Sequence, residues 1–284
     1  MDRVHFKRSL KPRLKTFSLK VLCGIGLAVI ALTSKAAADA TDIGPSVAAA
    51  GGIVESTTIA VKRLSDGQLW IANPDRAELK VSPASTSKIP HSLIALENRL
   101  VTPETILQWD GIPRSNRAWN QNHTLQSAFQ NSVVWVYQEI ARTAGQTVMS
   151  DGLKRLDYGN ATVGTIDQLT TYWLDDTLSI SALEQIEFLT KLALERLPLS
   201  KATYATARDI MISDAGADWT MRSKTGWRYN KTDMDIGWFV GWLECGHETH
   251  VFALNMDMPD TRSLSKRKSV TYQVLQEIGA FDCS

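Results

Sequence analysis

The chain has 284 residues, 44% of them hydrophobic, and a formal net charge of +1. That length serves one domain, or one domain with a large insertion, and it can bury a core without disulfide or metal staples. The charge is uneven: residues 1–38 hold eight Lys or Arg against one Asp, net +7, which leaves −6 for the rest and excludes a nucleic-acid footprint there.

A basic stretch to Lys20, an apolar run over 21–33 and Ala36-Ala37-Ala38 predict a signal peptide over 1–38, cleaved near Ala38. The apolar run is short of the roughly 20 residues a spanning helix needs. Export to the periplasm follows, with no stable membrane insertion after cleavage; an uncleaved N-terminal anchor is the alternative. Cys23 opens the apolar run instead of ending it, which speaks against a lipoprotein site. Residues 39–284 then form the mature domain.

Small residues over 41–52 predict one short helix. Thr57 to Arg63 and Gln68 to Ala72 flank Asp66-Gly67, a hairpin signal. Residues 85–100 have a helical pattern. The stretch 102–216 reads as mainly helical, with amphipathic runs over 132–144 and 181–197. Strands follow at 222–225, 236–244 and 249–257, then a last helix over 265–278. Strands at both chain ends with helices between predict an α+β fold. Its sheet is largely antiparallel, covered by the N- and C-terminal helices, with an all-helical subdomain inserted. Cys245 falls in a turn and Cys283 after the last helix. If that helix runs back along the last strand the two thiols meet and pair; otherwise both stay free.

The chemistry begins at Pro83-Ala84-Ser85-Thr86-Ser87-Lys88-Ile89-Pro90. Ser85 and Lys88 stand at i and i+3, on one helical face. A serine hydroxyl needs an adjacent base to act as a nucleophile, and a desolvated, neutral lysine is one. The helix N-terminus places backbone N–H groups where an oxyanion develops. Ser-x-x-Lys alone is a weak signal, and an N-cap serine beside a solvated lysine explains most such matches. The second element, Ser223-Lys224-Thr225-Gly226, offers an ammonium, a hydroxyl and a strand edge on which a carboxylate-bearing substrate can lie. Together, in that order, the two form the penicillin-recognising signature. The Ser-Asp-Asn loop of class A enzymes is absent. Ser132, in Asn131-Ser132-Val133-Val134-Trp135, stands between the two motifs, placed to relay a proton from Lys88 to a leaving amine.

With these stretches, Trp109-Asp110-Gly111, Tyr158-Gly159-Asn160, Trp173-Leu174, Val240-Gly241-Trp242 and Asn255-Met256-Asp257 follow in an order that resembles class D, oxacillinase-type serine β-lactamases. The resemblance covers residues 50–280. It implies a serine β-lactamase and penicillin-binding-protein-like fold, and hydrolysis of small-molecule β-lactams through an acyl-enzyme on Ser85. Lys88 would carry a carbamate derived from carbon dioxide or bicarbonate and serve as general base, held by the Trp173 indole. Ser132 and Lys224 would move or polarise the proton. The amides of Ser85 and Trp227 would form the oxyanion hole. Thr225, Gly226 and Arg267 would meet the substrate, Arg267 its carboxylate. No metal is implied, and the protein would be a monomer or a homodimer.

A carbamate forms only on a neutral amine, so an apolar pocket must depress Lys88 from the ordinary lysine pKa of about 10.4; Val134, Trp173 and Leu174 are candidates to line it. Ser87 departs from the family, which often places Phe there, and makes the pocket more polar unless another side chain fills the gap. His247-Glu248-Thr249-His250 reads as a solvated turn, Asp175-Asp176 as a solvated loop and Tyr158-Gly159-Asn160 as an architectural turn. The rival functions are a non-hydrolytic penicillin-binding sensor, a cell-wall D,D-peptidase, and a pseudoenzyme disabled by Ser87.

Overall fold

The computed structural model describes residues 40–229 and 234–283. The leader predicted over 1–38 lies outside the described residues. Among the described residues no helix is long and apolar enough to cross a membrane.

The strands are β1 (Thr41–Asp42), β2 (Thr57–Arg63), β3 (Leu69–Ala72), β4 (Ile212–Ala215), β5 (Trp219–Arg228), β6 (Asp235–Cys245) and β7 (Glu248–Met258). They form one sheet in the order β1-β3-β2-β7-β6-β5-β4. Every pairing is antiparallel except β1 with β3. The longest strands, β6 and β7, pair from Asp235↔Met258 to Cys245↔Glu248, and β2 pairs with β7, so hydrophobic runs from both chain ends meet at the sheet centre. The fold class read from the sequence therefore holds.

The helices are α1 (Gly44–Ala49), α2 (Pro74–Glu78), α3 (Lys88–Glu97), α4 (Leu125–Gln130), α5 (Val134–Arg155), α6 (Ala182–Ala193), α7 (Lys201–Ile210) and α8 (Ser263–Glu277). On one face of the sheet α1 and α8 bury Val47, Val270, Val274 and Leu275 against Phe239, Phe252, Leu254 and Met256. Full burial of each such side chain stabilises by about 1.5–3 kcal/mol. On the other side α6 packs against β2 and β7, and α3 is enclosed by α5 and α7. Residues Lys88 to Ala95 of α3 are all buried, so this helix is a core element of the helical subdomain.

Several boundaries differ from the sequence reading. The helix expected over 41–52 splits, because Asp42 Oδ1 accepts from the Gly44 N–H at 2.8 Å and Pro45 stands in the first turn. Thr41 and Asp42 are left to pair with β3. The helix expected over 132–144 starts at Val134, since Ser132 has a left-handed backbone (φ 55). It breaks at Gly145 (φ 76, ψ 165) and a second helical segment continues to Arg155. α6 starts in a capping box of Ser181 and Glu184 and stops at Ala193, short of 197. β5 is ten residues long because β6 pairs with it throughout. β4, inside the stretch read as helical, is an exposed strand with a register shift, and its Ile-Ser-Asp-Ala carries no strand pattern. His250 lies in β7, not in a turn, and is buried beside Trp70. Cys245 and Cys283 are joined by a disulfide.

Candidate active site

Ser85 sits in a 3-10 turn, Ala84–Ser87, that runs directly into α3. From Ser82 to Ala95 every residue is buried except Ser85, which is half-buried and reachable. Pro90 falls in the first turn of α3, where a missing N–H costs nothing. Ala84, just before Ser85, holds a left-handed backbone (φ 47). That conformation is strained for a residue with a Cβ, and strain of this kind gathers at functional sites.

Lys88 is wholly buried, and its Nζ donates to Ser85 Oγ at 3.0 Å. Burial pushes its pKa down to about 7. A charged amine stripped of water is costly, so much of the population at neutral pH is the free base. The Nζ also lies 5.1 Å from the Tyr137 ring centroid. Ser87 turns its hydroxyl to the Ala84 carbonyl at 2.7 Å. The Ser87 hydroxyl is thus bonded to backbone, and Ser87 is fully buried.

Trp173 is buried with its indole Nε1 lacking a hydrogen-bond partner. A buried N–H left unpaired costs about 1–3 kcal/mol. Its ring meets His91 edge-on at 4.8 Å, and His91 stands one turn beyond Lys88. Tyr172 OH and His91 Nε2 are 2.6 Å apart, while burial and the neighbouring Lys88 push the His91 pKa down to about 3, so the imidazole is neutral.

Lys224 enters from β5. It is buried, its Nζ donates to the Thr225 carbonyl at 3.0 Å, and the ammonium lies 5.7 Å above the Phe129 ring. Burial first, then the charges of Lys88, Arg267 and Lys268, drive its pKa well below the ordinary lysine value. The half-buried Ser132 turn follows Phe129, whose carbonyl accepts the Ser132 N–H at 3.1 Å. Two bonds fix that turn: Trp119 Nε1 donates to Asn131 O, and Trp135 Nε1 donates to Trp119 O, each at 2.9 Å.

β4 pairs with β5 only at Thr220, Met221 and Arg222. The Ser223 N–H still points to that side, donating to Met211 O at 2.8 Å. Backbone groups alternate along a strand, so the amides of Thr225 and Trp227 face the same, unpaired edge. β5 also lies very close to the Ser85 turn. A Cβ on Gly226 would stand 3.0 Å from Pro83 O and 3.1 Å from Thr86 Cγ2. Glycine there lets the edge carrying the Trp227 amide run beside Ser85. Arg267 is buried in α8, donating from Nε to Leu264 O at 2.9 Å and from Nη1 to Gly226 O.

The penicillin binding protein transpeptidase domain model matches residues 63–276. The chain is 40% identical over 221 residues to beta-lactamase OXA-20 of Pseudomonas aeruginosa, covering 77% of this chain and 80% of that protein. It is 42% identical over 207 residues to beta-lactamase OXA-48 of Klebsiella pneumoniae, covering 72% and 77%. Among solved structures, the class D beta-lactamase YbXI from Nostoc superposes with a TM-score of 0.79 at 36% identity, over 83% of this chain and 98% of that one. The chain belongs to the class D β-lactamase family.

Within this class D framework several site residues escaped the sequence reading. Ser82 is a junction: its N–H donates to Asp176 Oδ1 at 3.0 Å, its hydroxyl to the Trp173 carbonyl at 2.7 Å, and its own carbonyl accepts from Trp238 Nε1 at 2.9 Å. Asp176 is correspondingly no solvated loop residue, because its Oδ2 also takes Arg228 Nε at 3.1 Å and Nη2 at 2.6 Å. The pair ties the end of β5 to the segment before Ser85. Gly159 (φ 55) does make an architectural turn against Ser179, yet Tyr158 reaches inward, where Gln185 Nε2 donates to its hydroxyl at 3.2 Å and to Thr86 Oγ1 at 3.1 Å. Single polar residues in loops carry no sequence signal for such roles. Among the described residues no group of three or more metal-ligating side chains occurs.

Proposed function

We propose that this protein hydrolyses β-lactams through a serine acyl-enzyme on Ser85, and that it does so in the periplasm after loss of the leader. The observation that carries the reading is the 3.0 Å contact between Lys88 Nζ and Ser85 Oγ, with the amine buried and its pKa pushed down to about 7. The disulfide between Cys245 and Cys283 suits an oxidising compartment.

The Lys88 side chain accepts the Ser85 proton as Oγ bonds to the lactam carbonyl carbon. Negative charge grows on the carbonyl oxygen, which the amides of Ser85 and Trp227 meet. When the tetrahedral centre collapses, the C–N bond breaks and the lactam nitrogen takes a proton relayed by Ser132 and Lys224. A water then adds to the ester, its proton passes to the Lys88 side, and Ser85 leaves as the hydroxyl. The net change is one water consumed and one amide bond opened. Lys224, whose pKa burial and neighbouring charge lower well below the ordinary lysine value, is suited to passing a proton on.

The site also fits a carbamate on Lys88, formed from carbon dioxide. The amine has a large free-base fraction, and the buried Trp173 Nε1 wants an acceptor. When present, that group supplies the general base for both acylation and deacylation. Trp173 would hold it, and the bonding of Ser87 to Ala84 removes one competing polar group.

The test is turnover of a chromogenic cephalosporin and a penicillin by the processed protein, with and without bicarbonate, beside Lys88→Ala. Turnover that rises with bicarbonate and vanishes in the variant supports the proposal. One stoichiometric burst with a stable adduct, unmoved by bicarbonate, replaces hydrolysis by a sensor or D,D-peptidase reading.

A further inference from the structure

Three buried rings meet one turn beyond Lys88. His91 meets Trp173 edge-on at 4.8 Å, Tyr172 meets Trp173 edge-on at 4.9 Å, and the His91 and Tyr172 centroids lie 5.5 Å apart. Tyr172 OH and His91 Nε2, 2.6 Å apart, are the polar tie within the group. The backbone of Trp173 is anchored, its carbonyl accepting from the Ser82 hydroxyl. Its indole N–H has no partner among the described residues, so the orientation of the indole rests on the two rings at its sides.

Donors and acceptors fix the direction of the tie. Burial raises the Tyr172 pKa, so the phenol keeps its proton. If it donates to His91 Nε2, the imidazole proton sits on Nδ1 and one buried donor lacks a partner. In the reverse arrangement the phenol proton and the Nδ1 lone pair are both stranded, at greater cost. Tyr172 is the donor and His91 the acceptor.

His91 also reaches back to Lys88. The two stand at i and i+3 on α3, and helical side chains lean toward the N-terminus, so the imidazole lies over the turn that carries the lysine. Ser87, four residues before His91 on the same face, adds little bulk there, because its small side chain is turned back on the Ala84 carbonyl. The titratable groups packed around Lys88 and His91 are Tyr137 on α5, Tyr172, and Lys224 on β5. Burial is what lowers the Lys88 pKa, so a wall that keeps water off the amine sets its basicity.

Building on the β-lactam reading of Ser85 and Lys88, we propose that His91 is a positioning residue with two separable tasks: its ring closes the dry wall over Lys88, and its bond from Tyr172 holds the Trp173 indole in place for the Lys88 side chain.

Two measurements separate the tasks. Acylation by a penicillin is followed as the mass of the adduct, across pH, in buffer free of carbon dioxide. Loading of Lys88 is followed as the ¹³C resonance of the carbamate against bicarbonate. His91→Ala lets water reach the amine and should move the acid limb of acylation up by about one pH unit, a roughly tenfold slower rate along that limb. His91→Phe keeps a ring but offers no acceptor. Its acid limb should stay within about 0.3 unit of the wild type, while the bicarbonate needed for half-loading rises about fivefold. Tyr172→Phe removes the donor and should match it. The double variant should be no worse than either, since both changes remove the same bond.

An acid limb unmoved in His91→Ala would remove the wall. Half-loading at the wild-type bicarbonate concentration in both phenylalanine variants would remove the grip on the indole. A lower melting temperature with neither change would reduce His91 to packing and overturn the proposal. A wild type that shows no carbamate resonance would end the carbamate reading and the grip with it, while the acid limb still decides the wall. A burst without turnover would end the hydrolase reading alone, because both measurements need only acylation and loading.

Discussion

The two sides of the sheet are built on opposite terms. Under α1 and α8 the interior is apolar: Val47, Phe239, Phe252, Leu254, Met256, Val270 and Val274 interlock with hardly any surface left. Around Ser85 the interior is polar: Ser82, Thr86, Ser87, Lys88, His91, Ser92 and Gln185 are all buried, and His91 Nδ1 and Trp173 Nε1 have no partner. Left-handed backbone at Ala84 and Ser132 brackets the same region. One side stabilises the fold, and the other spends stability on reactive groups held out of water.

Lys88 states the contrast most sharply. Its folded pKa of about 7 lies below the unfolded value of about 10.4, so between these values the unfolded chain binds the extra proton. Stability therefore rises with pH through that window and is lowest below about pH 7. Lys88→Met removes the buried amine. It should lower kcat about 10⁴-fold, in line with the loss of an essential base, yet raise stability at pH 7 by up to about 4 kcal/mol. Urea titrations of both proteins at several pH values check it. A variant that is less stable at pH 7 would remove the cost assigned to the amine. The wild-type rate should fall below about pH 7, as the free base is lost.

Phe252→Ala probes the other side. Phe252 is fully buried and packs 5.1 Å from Phe239, ring to ring. Its loss should destabilise the fold by about 3–5 kcal/mol. At a temperature where the variant is folded, the pH profile should stay as it was. A shifted profile would mean that the apolar layer tunes Lys88 through the sheet, and the division drawn above would fail.

Trp173→Phe keeps an aromatic ring, smaller than the indole, and deletes the orphaned N–H. Losing one charge-assisted partner should raise the bicarbonate concentration for half-maximal activity about tenfold, with a smaller change in kcat at saturation. The carbonyl resonance of ¹³C-labelled carbon dioxide on Lys88 follows the same equilibrium directly. Equal bicarbonate dependence in both proteins would relieve Trp173 of the role.

The polar side was also the half-legible side. Ser85, Lys88 and Lys224 were readable because their chemistry needs fixed spacing: three residues of helix in one case, a strand edge in the other. The antiparallel sheet was readable from β-branched and aromatic runs at both chain ends. β4 was not, since Ile212 to Ala215 is exposed and borrows its strand form from β5. Asp176 was not, because its partners lie 94 and 52 residues away in sequence and a lone carboxylate in a loop announces neither. Ser82 escaped for the same reason: three of its bonds go to residues that only the fold brings near.

Asp176 gives the smallest effect and the finest test. Its carboxylate faces two ways, to the Ser82 N–H and to Arg228, and is partly exposed. An exposed pair contributes about 0–1 kcal/mol to stability, so Asp176→Asn should lower the melting temperature little. The asparagine still accepts from Ser82 but no longer neutralises Arg228, so the end of β5 loosens from the segment before Ser85. Trp227, whose amide lies on the unpaired edge of β5, is the residue next to Arg228. A looser end should slow acylation about fivefold and leave deacylation, governed by Lys88 and its surroundings, within twofold. Arg228→Lys, which keeps the charge but not the two-pronged grip, should fall between. If both variants slow deacylation instead, the clamp acts through Ser82 and Trp173, and the strand end is a bystander.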